Sequence, residues 1–318
     1  AQTVQVTSVT GSAQSFTATT STTDGGTWLM AMPTSPTPGQ ITVGVNPSNL
    51  TPGSYTGAVS VTPSTAGASP QTISVSLTVI PPPTPVVSAV LSSASYQSGF
   101  VAPGEFVTLF GATLGPDTLT VPPAGTFPRT LGGTTVMFDG IPAPILYASA
   151  TQTSVQVPYG ISSSITTLTV QRAGVTSAPK QISAATALPG FFTVDTTGKG
   201  QIAAINQDGT LNSPSNPAAR GSIVSLYGTG EGVTTPASVE GVITTSVPPL
   251  PQTQLPSSVT FSGVPATIKY LGETPTVVSG LFQLSVVVPQ TSPVGPSVGV
   301  LLTINGQTSP GGVTVAVK

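Results

Sequence analysis

PGEFVTLFGATLG at residues 103–115 returns as RGSIVSLYGTGEG at 220–232, pairing Gly104 with Gly221, Phe110 with Tyr227 and Gly111 with Gly228. Downstream, VMFDGIPAPILY (136–147) returns as VTFSGVPATIKY (259–270), and SVQVP (154–158) returns as SVVVP (285–289). Three matches in one order are the signature of a duplicated structural unit, so 86–187 and 188–318 read as two copies of one domain. Within them, and upstream, short runs alternate Val, Ile or Leu with Ser or Thr: TVQVTSVT (3–10), ITVGV (41–45), TISVSLTVI (72–80), TTLTVQ (166–171), VTVAVK (313–318). Alternation with period two, broken by Gly and Pro, describes half-buried strands joined by tight turns. No segment combines a sustained helical period with caps. The expected class is all-β, built of sandwiches.

A third domain is marked off by Pro81-Pro82-Pro83-Thr84-Pro85. Four prolines that fix φ make a stiff extended spacer, so 81–85 reads as a linker and 1–80 as a separate sandwich.

Composition narrows the function by exclusion. The 318 residues carry 7 Lys+Arg and 9 Asp+Glu, a charged fraction of 5% where about a quarter is usual. Gly (35) and Pro (34) are abundant, yet a 38% hydrophobic fraction, a mean hydropathy of +0.31 and a net charge of -2 oppose disorder. The absence of His and Cys removes Ser-His-Asp and Cys-His nucleophiles, the usual zinc and haem ligands, and disulfides. Seven scattered cations give no electrostatic footprint for nucleic acid, and no apolar run is long enough to span a bilayer. The expectation is a non-enzymatic protein with no cofactor.

From VLSSASYQSGFVAPGEFVTLFG through ALPGFF, NQDGTLNSPSNPAARGSIVSLYGTGEG and the terminal VTVAVK, the chain resembles the uncharacterised C-terminal domain family of secreted, Solibacter-type acidobacterial proteins. Each half of that stretch is similar to the IPT/TIG class of immunoglobulin-like folds. Residues 1–80, with Trp28, Pro47 and the PGSYTG turn at 52–57, are similar to BACON-like immunoglobulin-fold domains. The resemblance implies three tandem immunoglobulin-like β-sandwich domains, no enzyme, and, through BACON domains, a carbohydrate or mucin ligand. It also implies that a first strand normally precedes the TVQVTS-type strand, so the first sandwich is expected to lack one. Ala1-Gln2 is what signal-peptidase cleavage leaves, which points to a secreted chain at the cell surface or beyond.

Candidate sites are few. Asn206, Asp208 and Asn212 alternate as oxygen ligands around Gly209, faintly like a calcium loop, but the closing bidentate acid is missing and Asp-Gly suits a hairpin turn. Asp195-Thr-Thr-Gly-Lys-Gly lacks the spacing of a phosphate loop. The nine acids sit mostly beside Gly or Pro, where carboxylates cap turns, so a glycosidase pair is not expected. Trp28 and Tyr55 are the candidate sugar platforms, with core packing as the plainer role. Asn49-Leu50-Thr51 is an N-glycosylation sequon.

The remaining signal lies at the ends. Edge strands are normally guarded by charge, Pro or a bulge. Thr3–Thr10 has neither charge nor Pro, and Val313–Val317 is guarded only by Lys318. Val4, Val6 and Val9 would border an incomplete first sandwich, and Val313, Val315 and Val317 would be the donated strand of a neighbour. The leading expectation is an extracellular structural protein that polymerises with copies of itself into a surface filament. The alternative is a carbohydrate-binding or adhesive module of a secreted protein.

Overall fold

The computed structural model describes residues 1–162 and 164–318, and every regular element among them is a β-strand. The chain divides into two compact units, Ala1–Pro82 and Pro83–Lys318. The fold is a tandem of three immunoglobulin-like sandwiches, two of which share the second unit.

The first unit has six strands: β1 (Gln2–Val6), β2 (Phe16–Thr22), β3 (Leu29–Thr34), β4 (Gly39–Val45), β5 (Gly53–Pro63) and β6 (Gln71–Val79). They form two antiparallel sheets, β1-β4-β3 and β2-β5-β6. With immunoglobulin strands lettered A to G, sheets ABED and CFG, these orders are B-E-D and C-F-G. No described residue fills the place of strand A. The core between the sheets is Phe16, Trp28, Leu29, Ile41, Val43, Val59 and Val61, with the alternate positions of β4 and β5 supplying Ile41/Val43 and Val59/Val61 as the sequence pattern requires.

In the second unit the duplication read from the sequence is a duplication of structure. The first copy pairs Val86–Ser92, Phe106–Ala112, Gln152–Gln156 and Ile145–Ala148 in one sheet, and Phe100–Val101, Lys180–Ala184, Ile165–Arg172, Thr134–Phe138 and Ile141–Pro142 in the other. The second copy repeats this order from Gly190–Phe191 to Gly200–Gln201, with Val264–Glu273 running through both sheets and joining them. Irregularities recur too. Bulges fall between Ile145 and Tyr147 and between Ile268 and Tyr270. Asp139-Gly140 and Ser262-Gly263 both have positive φ at two successive residues, the signature of a type I′ hairpin turn. Each copy has its own core, with Leu109, Phe138, Ile145 and Leu168 in one and Phe261, Phe282, Leu284 and Ile304 in the other. Each such side chain contributes roughly 1.5–3 kcal/mol by burial.

One expectation is overturned here. Val313–Val317 is not a free terminal strand. It lies between Gly295–Ile304, which pairs antiparallel, and Gly200–Gln201, which pairs parallel, while Ala218 bridges to Val317. Val313, Val315 and Val317 are buried in the core of their own sandwich. Donating them would dismantle the domain that carries them.

Candidate functional site

β1 and β6 are both sheet edges on the same side of the first unit, and each has one face of its backbone unpaired. They stand apart where strand A would lie. The gap is a groove of about 650 Å³ floored by Val4, Val6, Phe16, Val61 and Ile73, and a second hollow of about 400 Å³ involves Gln2, Val43, Val75 and Leu77. Val4 and Val6 are half-buried from β1, and Ile73, Val75 and Leu77 are half-buried from β6. Val9 lies past the end of β1 and is fully exposed. The sequence reading named one wall of this groove and missed the other. Its signal was present in the strict alternation of TISVSLTV, but alternation alone does not say which strand faces which.

The opposite side of the unit is sealed. β3 carries Pro33, and the amides of Phe16 and Gln14 donate to Ser35 Oγ (3.0 Å) and Thr37 Oγ1 (2.9 Å). No comparable guard protects the open flank. Asp24 is the one charged side chain in residues 1–82, and it is spent on a turn, accepting from Gly26 N (3.2 Å) and Trp28 Nε1 (3.1 Å).

That bond also corrects the sugar platform. Trp28 is 3% exposed and packs edge-on against Tyr55, with ring centroids 6.2 Å apart. Tyr55 is half-buried and its hydroxyl donates to Thr51 O at 2.7 Å. Stacking a pyranose requires an open ring face, which Trp28 does not offer.

The calcium-loop candidates are likewise committed to structure. Asn206 Nδ2 donates to Asn216 O (3.0 Å), and Asn212 donates to Asn206 Oδ1 and Ala316 O (2.9 Å each). Asp208 accepts from the hydroxyl and amide of Thr210, which hold its carboxyl below the ordinary range. These residues build a hairpin turn and a strap onto Val313–Val317. Among the described residues no group of three or more His, Cys, Asp or Glu is placed to hold a metal ion.

The acids differ more from expectation. Asp24, Asp195 and Asp208 cap their own turns, and Asp139 accepts from the amides of Ser162 and Thr167 farther along the chain, but Glu105, Glu231 and Glu273 are buried. Burial pushes the Glu105 carboxyl up to about 8, against the pull of the Ala102 amide. Glu231 and Glu273 lie where the two sandwiches of the second unit meet. Burial raises both; the Glu273 charge raises Glu231 further, while hydrogen bonds from Tyr159, Ser238, Gly280 and Thr244 pull Glu273 back down. Tyr159 of the preceding sandwich donates to Glu273 Oε1 (2.7 Å), Gly280 N donates to Oε2 (2.7 Å), and neither oxygen of Glu231 has a partner. Around them, Gln156 donates to Ser279 O (2.7 Å) and accepts from Gly241 N (2.7 Å), Phe106 N donates to Thr229 Oγ1 (2.9 Å), and Arg129 pairs with Glu240 (3.2 Å). Sealed at 2% and 0% exposure, Glu231 and Glu273 offer no cleft of the kind a glycosidase pair flanks.

No known family profile matches the chain and no curated protein matches it. Similar solved structures include a Bacteroides ovatus mixed-linkage glucan utilization locus protein, SGBP-B, in complex with a heptasaccharide (14% identity, TM-score 0.30, 84% of this chain and 55% of that one). The Escherichia coli adhesin FdeC (14%, 0.23, 99% and 87%) and the titin I-band fragment I67–I69 (10%, 0.24, 95% and 88%) are others. This chain spans about half the length of the glucan-binding structure. Overlaps this loose carry no argument about function.

Proposed function

We propose that this protein is an extracellular, non-enzymatic structural subunit that joins copies of itself by β-strand complementation at the β1–β6 flank, building a surface filament or similar polymer. The observation that carries the reading is the β1–β6 flank: two free strand edges, an apolar groove between them, and no charge or proline to guard either. An extended segment of a neighbouring copy would bond to the backbone of β1 and seat alternate side chains against Val4, Val6 and Ile73. The donor is a segment other than Val313–Val317. A contact between unlike surfaces propagates as an open fibre, whereas like-with-like pairing closes a dimer. The carbohydrate reading loses Trp28 to the core and keeps Tyr55 and the BACON-like resemblance.

Negative-stain microscopy of the intact chain tests this, with Val4→Lys/Ile73→Lys as the comparison. Filaments in the first and dispersed particles of unchanged circular dichroism in the second are the expected pair. A monodisperse monomer from the intact chain sinks the proposal.

A further inference from the structure

The third sandwich places two carboxyls where its sister places hydrocarbon. In the register set by Gly104/Gly221 and Gly111/Gly228, Glu231 stands at the position of Leu114; in that set by Tyr147/Tyr270, Glu273 stands at the position of Ala150. Leu114 is wholly buried, and its amide donates to Ala150 O at 2.9 Å, so the two positions are neighbours in the fold. Matching bulges after Ile145 and Ile268 keep the copies aligned up to this point. The exchange of Leu and Ala for two acids is costly, because like charges are brought together out of water without a counter-charge. Among the described residues the one ion pair is Arg129 with Glu240, so no cation of the chain pairs with either acid.

The polar side chains around the pair all carry oxygen, and one backbone amide, Gly280 N, donates to Glu273 Oε2. Both oxygens of Glu231 are sealed and unpartnered. The Thr244 hydroxyl, nine-tenths buried, and the Ser238 hydroxyl both act on the Glu273 carboxyl, pulling it down against burial. The phenol of Tyr159 reaches in from the other sandwich. Two carboxylates with neutral hydroxyls form a hard, all-oxygen donor set of charge -2. Calcium is the ion that accepts such a set in irregular geometry, whereas magnesium demands a near-ideal octahedron and keeps its waters. We propose that Glu231 and Glu273, with Thr244, bind one calcium ion at the junction of the second and third sandwiches, and that Tyr159 ties the preceding sandwich to that site.

This inference stands apart from the assembly proposed above. The test uses the full chain, stripped with EDTA and dialysed, titrated with calcium chloride in a calorimeter and melted with and without the ion. The expected result is binding of one ion per chain and a higher Tm in calcium than in magnesium. Glu231→Leu, which restores the sister repeat's chemistry, should raise the Tm of the stripped protein and abolish the calcium response. Failure of the wild-type chain to bind or respond at millimolar calcium would overturn the site and leave the two acids as a proton-sharing pair. Calcium binding that persists unchanged in both Glu231→Leu and Glu273→Gln would overturn it equally, by placing the ion elsewhere.

Discussion

Glu105 shows how far a single buried group can set the behaviour of a chain with so few charges. Its carboxyl is fully buried, one oxygen accepts from Ala102 N (2.9 Å) and the other has no partner. In the unfolded chain it ionises near 4.5, and in the folded chain near 8. Between those values the folded state holds a proton that the unfolded state has released, so stability falls as pH rises through this window and levels off above it. Urea titrations at pH 5 and pH 8.5 should differ by on the order of a few kcal/mol, larger at pH 5. Glu105→Gln should remove much of that slope; a wild-type profile that rises with pH would refute the assignment. In metal-free protein, Glu231 and Glu273 are raised by burial and act in the same direction. None of this was readable from the sequence, where Pro-Gly-Glu resembles any solvated turn. The clue at Glu231 was available in the repeat, as an acid aligned with a leucine.

Strands were legible one by one because alternation of Val with Ser or Thr is a local signal; their partners were not, because pairing is tertiary. VTVAVK was correctly a strand and wrongly a free one: its outer neighbour is Gly200–Gln201, two residues with no pattern of their own. TISVSLTV was equally plain as a strand, yet its role as the second wall of the groove depends on β1 lying across from it. Junction geometry was also hidden. Gly280, at φ +88°, leaves room for Gly104 O, which would stand 2.2 Å from an added Cβ. Gly280→Ala should therefore cost about 1–3 kcal/mol through strain and displaced backbone, measured as a lower urea midpoint for the second unit, whereas an unchanged midpoint would show that the two sandwiches do not depend on this contact.

Across the molecule the 16 charges are unevenly shared. One lies in residues 1–82 and the rest in the second unit. The scarcity first read from composition is therefore sharpest in the unit with the open flank, where charge would obstruct strand addition. The boundary near Pro81–Pro85 was visible because proline declares itself, while the union of the second and third sandwiches into one unit was not, being made by the buried Gln156 and Thr229 and the half-buried Tyr159. Calorimetry should accordingly resolve two transitions, with residues 83–318 melting as one; three separable transitions would break that picture. The central claim is that the first sandwich is completed by another copy. Light scattering of the intact chain over a hundredfold dilution tests it most directly: a mass that climbs with concentration, and stays at 31.5 kDa in Val4→Lys/Ile73→Lys, is the predicted result, and a constant 31.5 kDa for the unmodified chain would contradict it.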